Sequence, residues 1–217
     1  MIKGCIFDLD GTLIDSLEDL ANSTNEVLYK HGFPTHELHK YNYFIGNGVK
    51  KLIYRSLPED KKDLVDECLK EFYEVYEQRC LECTYCFDGI VELLQYLKSI
   101  DVKMAVVTNK PDYLAKKICN HYFKDIFIDV IGNREDFPLK PDPLSTMSVL
   151  EQFDLSNEEC VFIGDSNVDI YTGLNAKMET IGVTWGFRTF EELKEAGATY
   201  VVNQVSEIKE LIDESRN

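Results

Sequence analysis

Two aspartates, Asp8 and Asp10, stand at the end of the first apolar run of the chain, directly before Gly11. Residues two apart on an extended strand project to the same side, so the two carboxylates would lie together. One carboxylate of such a pair can attack an electrophile while the other moves a proton. Considered alone, the run is explained more simply by an Asp-Gly turn with solvated side chains. The chemistry therefore depends on what the neighbouring strand ends contribute.

Three later apolar runs are also followed by polar residues. Thr108 and Asn109 follow one run, Lys140 follows the next, and Asp165 and Asp169 follow a third. Each set has a simpler explanation, because such side chains often cap helices and lone lysines are usually solvated. Helix capping does not, however, predict that successive strands are followed by hydroxyl, amide, lysine and carboxylate side chains. With the aspartate pair, these residues make up a phosphoryl-transfer site: a nucleophile, a proton carrier, oxygen ligands for Mg²⁺ and a positive charge.

The pattern of apolar runs predicts the elements that would position these residues. Runs rich in Ile, Val and Phe predict strands at residues 3–9, 102–107, 126–131, 160–163, 180–184 and 199–202. Helical patterns separate most of them, at residues 111–122, 143–153, 168–177, 191–196 and 207–215. Apolar strands that alternate with helices indicate an α/β fold, with a doubly wound parallel sheet covered on both faces. Ligands of such sheets bind at the carboxyl ends of the strands, where the polar residues fall.

A long interval between the first two predicted strands indicates an insertion. About 90 residues separate them, far more than one crossover helix needs. Asp15, with Glu18 three residues later, predicts the N-cap and capping box of a first helix. Apolar residues at helical spacing over 64–76 predict a second, and residues 89–99 a third that returns to the sheet. We therefore predict a core formed by residues 1–15 and 83–217, with a helical insertion at residues 16–82.

The composition excludes several classes of protein. The chain has 217 residues, and 23 basic against 39 acidic residues give a formal charge of −16. This balance argues against nucleic-acid and anionic-membrane partners. No apolar run approaches the roughly 20 residues that span a bilayer, and acidic residues come too early for a signal peptide. Seven cysteines, an odd number, suit a reducing compartment. We expect a cytoplasmic protein that is a monomer or a homodimer.

Taken in order, the four polar motifs resemble those of the haloacid dehalogenase superfamily. They are Asp8-Leu9-Asp10-Gly11-Thr12, Thr108-Asn109, Lys140-Pro141 and Gly164-Asp165-Ser166-Asn167-Val168-Asp169. The resemblance covers nearly the whole chain and implies a Rossmann-like core with an inserted α-helical cap. Closer features are similar to the phosphoglycolate phosphatase-like branch: Ile45-Gly46-Asn47-Gly48, Thr108-Asn109-Lys110-Pro111, Lys140-Pro141-Asp142-Pro143 and Thr184-Trp185-Gly186-Phe187.

The resemblance implies the roles of the acidic residues. Asp8 would be the nucleophile that forms an aspartyl-phosphate. Asp10 would protonate the leaving alkoxide and then take a proton from the attacking water. Mg²⁺ would be bound by the Asp8 carboxylate, the Asp10 backbone carbonyl and Asp165. Asp169 would orient Asp165 or a metal-bound water from outside the metal's direct ligands.

The resemblance also implies how an acidic protein would bind an anionic substrate. Thr108 and Asn109 would hold phosphoryl oxygens, and Lys140 would neutralise charge on the nucleophile and the phosphate. Lys110 and Arg188 are further cations that could assist. Mg²⁺ and these cations would supply locally the positive charge that the whole chain lacks.

The second aspartate distinguishes between the reactions of the superfamily. Members that cleave carbon–halogen bonds lack an equivalent of Asp10, because a halide leaves without a proton and an alkoxide does not. The implied function is a Mg²⁺-dependent phosphatase that acts on a small phosphorylated metabolite, with 2-phosphoglycolate as the leading candidate. Alternatives with the same chemistry are a pyrophosphatase, a nucleotide or sugar-phosphate phosphatase, a β-phosphoglucomutase-like mutase and a phosphonatase. A non-catalytic phosphate-responsive protein would be expected to lack a nucleophile or a metal ligand, and none is missing.

Two short motifs have two interpretations each. Gly46, Asn47 and Gly48 form either a substrate-specificity loop or the first turn of a helix that Asn47 caps. Cys80, Cys83 and Cys86 have the spacing of a zinc or iron–sulfur site, although no fourth ligand is evident nearby. For the cysteines we favour packing over metal binding.

Overall fold

The computed structural model describes residues 1–216 and contains a central sheet, helices on both of its faces and a group of helices inserted after the first strand. The strands are β1 (Gly4–Phe7), β2 (Ile14–Asp15), β3 (Tyr85–Cys86), β4 (Lys103–Pro111), β5 (Asp129–Asn133), β6 (Cys160–Gly164), β7 (Glu179–Val183) and β8 (Tyr200–Val202). The helices are α1 (Leu17–Lys30), α2 (Tyr41–Phe44), α3 (Val49–Ser56), α4 (Val65–Arg79), α5 (Ile90–Ser99), α6 (Asp112–Tyr122), α7 (Leu144–Phe153), α8 (Asn167–Asn175), α9 (Phe190–Glu195) and α10 (Val205–Arg216). Short 3₁₀ helices lie at Leu38–Lys40, Glu59–Leu64 and Asn157–Glu159.

The central sheet has six strands in the order β5-β4-β1-β6-β7-β8. Every neighbouring pair in it is parallel. The predicted α/β fold with a doubly wound parallel sheet is therefore confirmed. β1 lies in the middle of the sheet, so the residues that follow it have β4 on one side and β6 on the other.

Alternating side chains of the buried strands pack on opposite faces of the sheet. Phe7 of β1 joins one apolar cluster, to which α5, α6 and α10 contribute. Ile6 joins a second cluster, which includes side chains of α7. The sheet is thus buried on both sides, as expected for apolar strands without polar alternation.

A second, two-stranded sheet joins the two ends of the insertion. β2 and β3 pair antiparallel, with Ile14 opposite Cys86 and Asp15 opposite Tyr85. Helices α1 to α4, here called the inserted helices, therefore leave and rejoin the α/β core at one place. Their apolar side chains continue the first cluster of the core. The sequence did not predict this small sheet, because two-residue strands carry no detectable period.

Among the predicted boundaries that differ from the structure, two were wrong for identifiable reasons. Asp15 was predicted to cap α1, but the N-cap residue is Ser16, and Asp15 lies in β2. The Asp15 carboxylate accepts from the Leu17 amide and the Tyr85 hydroxyl, so the predicted capping box does not form. The strand predicted at residues 126–131 begins instead at Asp129, because the preceding residues form the turn after α6.

Within the described residues, none of the helices has the length and apolar character that crossing a membrane requires.

Candidate active site

Lys140 joins two aspartates in a buried row of charges at the carboxyl edge of the sheet. Its Nζ lies 2.8 Å from Asp8 Oδ1 and donates to Asp169 Oδ1 at 2.6 Å. Only 6% of Lys140 and 1% of Asp169 are exposed. The other oxygen of Asp169 accepts from the hydroxyl and the amide of Ser166, which forms the capping box of α8. The Asp169 side chain thus takes part in the capping box of α8 and also pairs with Lys140.

Asp165, directly after β6, brings a further carboxylate to the same place. Its Oδ2 accepts from the Phe187 amide at 2.7 Å, and its Oδ1 lies 3.5 Å from the Thr12 hydroxyl. One oxygen from each of Asp8, Asp165 and Asp169 can be chosen so that all three lie within 4.8 Å of one another.

The electrostatics of this cluster favour a bound cation. Burial, reinforced by the charge of Asp169 and opposed by that of Lys140, raises the pKa of Asp8 to about 7. Burial and then the charges of Asp169 and Asp8 hold the pKa of Asp165 well above its usual range. Burial works to lower the pKa of Lys140, but the two aspartates outweigh it and the pKa is raised. Full ionisation of the three carboxylates around one ammonium would leave two buried negative charges, and hard oxygen donors suit a divalent cation such as Mg²⁺ that would compensate them.

The Asp10 carboxylate points to a different set of partners. Ser16 Oγ donates to its Oδ1 at 2.5 Å, and Lys110 Nζ donates to its Oδ1 and Oδ2 at 2.9 and 3.2 Å. Lys110 Nζ also donates to the Tyr76 hydroxyl of α4 at 2.6 Å. Burial works to lower the pKa of Lys110, but the charge of Asp10 and the Tyr76 hydroxyl outweigh it, and the pKa is raised.

Sequence reasoning missed Ser16 and Tyr76 and treated Lys110 only as an auxiliary cation. A signal existed for Lys110, because it lies two residues beyond Thr108 on the same strand and could therefore face the same site. No comparable signal existed for Ser16 or Tyr76.

Thr108 and Asn109 lie on β4 and line the same cavity. The Thr108 hydroxyl accepts from the Lys110 amide at 3.3 Å. The Asn109 side chain joins two loops: its Oδ1 accepts from the Lys140 amide at 2.8 Å, and its Nδ2 donates to the Lys140 and Gly46 carbonyls. Asn109 therefore holds the backbone that carries the lysine.

A small cavity of about 40 Å³ separates these groups from the inserted helices. Its polar side is formed by Asp8, Asp10, Thr108, Asn109, Lys110 and Lys140, and its other side by Leu20, Ile45, Gly46, Gly48, Val49 and Leu52. Gly46 and Gly48 both have positive φ, at 105° and 83°. The N-cap of α3 is Gly48, so the alternative in which Asn47 caps this helix is wrong. The Asn47 side chain accepts from Arg55 instead.

Arg188 provides another contact between the core and the inserted helices. It follows β7, and its guanidinium donates to the Asn42 and Ile45 carbonyls. Its charge also works to lower the pKa of Asp165, although burial prevails there. Arg188 is not among the residues that line the cavity.

Cys80, Cys83 and Cys86 do not meet at a metal site within residues 1–216. The His, Cys, Asp and Glu groups with ligand spacing there are the aspartate cluster and a second set, His31, Glu67 and Glu71. Cys80 is buried, and its thiol lies near the Glu77 carbonyl at 3.7 Å.

The fold and this site are those of a class of hydrolases, and comparison with known proteins identifies the class. Residues 5–183 match the family of haloacid dehalogenase-like hydrolases, and the chain belongs to that family. A phosphoglycolate phosphatase from Psychrobacter arcticus is 32% identical over 210 residues, which cover 93% of this chain and 91% of the relative. A phosphoglycolate phosphatase from Vibrio cholerae is 32% identical over 220 residues, covering 97% of each chain. The chain is accordingly a phosphatase of this family.

Solved structures have the same fold as this chain. A protein from Lactobacillus delbrueckii subsp. bulgaricus superposes with a TM-score of 0.90 at 29% identity, covering 97% of this chain and 98% of the other. A haloacid dehalogenase-like family hydrolase from Streptococcus pneumoniae shares the fold with a TM-score of 0.88 at 22% identity, again covering 97% of this chain and 98% of the other.

Gly11 makes room for the aspartate cluster, and its replacement tests this packing. Its φ is +85°, and a Cβ there would lie 2.4 Å from Asp165 Oδ2. Gly32 has a similar φ of +70° with no atom within 4 Å of a Cβ. We expect Gly32→Ala to cost about 1–2 kcal/mol in unfolding free energy with unchanged turnover. We expect Gly11→Ala to cost more and to lower kcat, as measured by urea unfolding and phosphatase assays. Equal stability losses with unchanged kcat would contradict this assignment of Gly11.

Proposed function

We propose that the chain is a Mg²⁺-dependent phosphomonoesterase that works through an aspartyl-phosphate on Asp8. The observation that carries the proposal is the convergence of Lys140 and Asp165 on Asp8. Asp8, Asp10 and Lys140 line the same cavity. A nucleophile, a fixed cation, a cluster of oxygen donors and a second carboxylate are the groups that this reaction requires.

In the first step, an Asp8 oxygen attacks phosphorus and the bond from phosphorus to the ester oxygen breaks. Asp10 gives its proton to the departing alkoxide, which leaves as an alcohol. In the second step, water attacks the phosphorus of the aspartyl-phosphate while Asp10 takes up a proton, and the Asp8 carboxylate is regenerated with release of inorganic phosphate. Lys140, 2.8 Å from Asp8, opposes the negative charge of the nucleophile and of the phosphoryl group throughout.

The metal would be held by the Asp8 carboxylate, the Asp165 carboxylate and the Asp10 backbone carbonyl. When bound, Mg²⁺ supplies positive charge against the phosphoryl oxygens. Both oxygens of Asp169 are already bonded, to Lys140 and Ser166. We therefore assign Asp169 to holding Lys140 in place rather than to binding the ion.

Thr108 and Asn109 would serve the phosphoryl group in different ways. Thr108 lines the cavity, and its hydroxyl would donate to a phosphoryl oxygen. The Asn109 side chain is committed to backbone groups of Lys140 and Gly46, so it would act chiefly by holding Lys140.

We propose that residues 16–82 act as a cap that opens for the substrate. A cavity of about 40 Å³ is far smaller than a typical ligand pocket of about 300–1,000 Å³, so the cap must move away from β4 to admit an ester. Gly46 and Gly48 line this cavity with backbone instead of side chains and would contact the leaving group. The relatives named phosphoglycolate phosphatase make 2-phosphoglycolate the leading substrate. We expect the enzyme to act in the cytoplasm on such metabolites.

A survey of phosphate esters ranked by kcat/KM tests the proposal. We expect 2-phosphoglycolate to be hydrolysed most efficiently, ahead of sugar phosphates, nucleotides and pyrophosphate. We expect EDTA to reduce turnover to background and added Mg²⁺ to restore it, because the aspartate cluster would then lack its cation. Metal-independent turnover would contradict the proposed cofactor. A larger ester in first place would contradict the proposed substrate.

A further inference from the structure

The hydroxyl of Tyr76 connects an inserted helix to the carboxylate proposed to move the proton. We propose that Tyr76, acting through Lys110, is a positioning residue for Asp10, so that α4 helps to align the acid that protonates the leaving group. The inference deepens the proposed function and rests on it. Under this inference, the inserted helices help to align Asp10, the proton donor.

The contacts form one continuous chain across the boundary between core and inserted helices. Tyr76 is on α4 and fully buried, and its hydroxyl accepts from Lys110 Nζ at 2.6 Å. Lys110 is on β4 with its side chain only 2% exposed, and its remaining hydrogen bonds from Nζ go to the two oxygens of Asp10. Asp10 follows β1. Three separate parts of the chain therefore determine where one carboxylate points.

Packing alone does not explain the hydroxyl of Tyr76. The ring stacks on Phe72 with centroids 5.1 Å apart, and a phenylalanine at position 76 would keep that contact. The hydroxyl, in contrast, lies against a buried ammonium whose single charged partner within residues 1–216 is Asp10. A buried ammonium is costly unless its N–H groups are hydrogen-bonded, so the three donors of Lys110 have one preferred arrangement.

Loss of the hydroxyl would leave one donor of Lys110 unpaired in a buried place. The ammonium would then be free to move relative to Asp10, while Ser16 would still hold Oδ1. Misalignment of a proton donor slows the steps that need its proton and leaves the other steps unchanged. Leaving groups that need no proton should therefore be insensitive to the change.

Tyr76→Phe, assayed with two small substrates, tests the inference. The alkoxide of 2-phosphoglycolate must be protonated as it leaves, whereas acetyl phosphate releases the stable acetate anion. kcat/KM covers only the steps through release of the leaving group, so it excludes later hydrolysis of the aspartyl-phosphate. In the presence of Mg²⁺ we expect Tyr76→Phe to lower kcat/KM about tenfold for 2-phosphoglycolate and less than about twofold for acetyl phosphate. Lys110→Met should show the same selectivity with a larger loss.

Tyr73→Phe is the matched control, since it makes the same change one turn earlier on α4, outside the Lys110 contact. It should leave both values unchanged. Equal losses with the two substrates for Tyr76→Phe would show a merely structural role and overturn the inference, as would no loss with either. The activity of the wild-type protein distinguishes failure of this inference from failure of the proposed function. If the wild type hydrolyses another alkyl phosphate better than 2-phosphoglycolate, that ester replaces 2-phosphoglycolate in the comparison. A wild type that hydrolyses no ester overturns both.

Discussion

Replacing Asp8 by asparagine is expected to abolish phosphatase turnover while leaving the fold intact. An amide lacks the charged oxygen that would attack phosphorus, so kcat should fall by at least about 10⁴-fold, as for other lost nucleophiles. The fold should survive because Asn has nearly the same shape and because Lys140 keeps its contact with Asp169.

Stability should even be retained or improved in this variant without divalent cations. Burial raises the pKa of Asp8 from its ordinary value of 3.8 to about 7, so the stability of the wild type falls as the pH rises between these values and the full cost is present at pH 8, whereas Asn carries no charge. Thermal unfolding at pH 8 in EDTA measures this, and we expect an equal or higher midpoint. Asp63→Asn, an exposed change, should alter neither quantity. Substantial turnover by folded Asp8→Asn would refute the proposed nucleophile.

Lys140→Met is expected to be damaging both to stability and to activity. The substitution keeps most of the length of the side chain but removes the ammonium that lies between Asp8 and Asp169. Removing one partner from a buried charge cluster costs about 3–5 kcal/mol, because the remaining charges are left uncompensated. We expect a loss of that size in urea unfolding without divalent cations. We also expect kcat to fall about 10²- to 10³-fold, as it does when one donor to developing charge is removed.

Mg²⁺ should restore part of the lost stability of Lys140→Met, because a bound cation would replace some of the missing positive charge. The control is Lys124→Met, in which an exposed lysine is lost and no change is expected. If Lys140→Met were as stable as the wild type in EDTA, Lys140 would not be the group that compensates the aspartate cluster.

The placement of the main polar motifs at one edge of the sheet could be predicted from the sequence. Apolar runs predict buried parallel strands, and the residues after parallel strands share one edge. Asp8 after β1, Thr108 at the end of β4 and Asp165 after β6 follow from this rule without coordinates. The order β5-β4-β1-β6-β7-β8 then puts these strands side by side.

The partners of each polar group were decided only by tertiary structure. Asp10 and Lys110 are 100 residues apart, and Tyr76 comes from a helix whose rotation follows from its packing on α1. The position of Asn109 after an apolar run predicted that it lies at the site. Its hydrogen bonds to the Lys140 backbone could not be predicted. A side chain's bonds depend on the angle at which distant elements pack, and a local pattern of residue types carries no information about that angle. The sequence alone thus determined which chemical groups reach the edge of the sheet, and the packing of the inserted helices on that edge determined how they are paired.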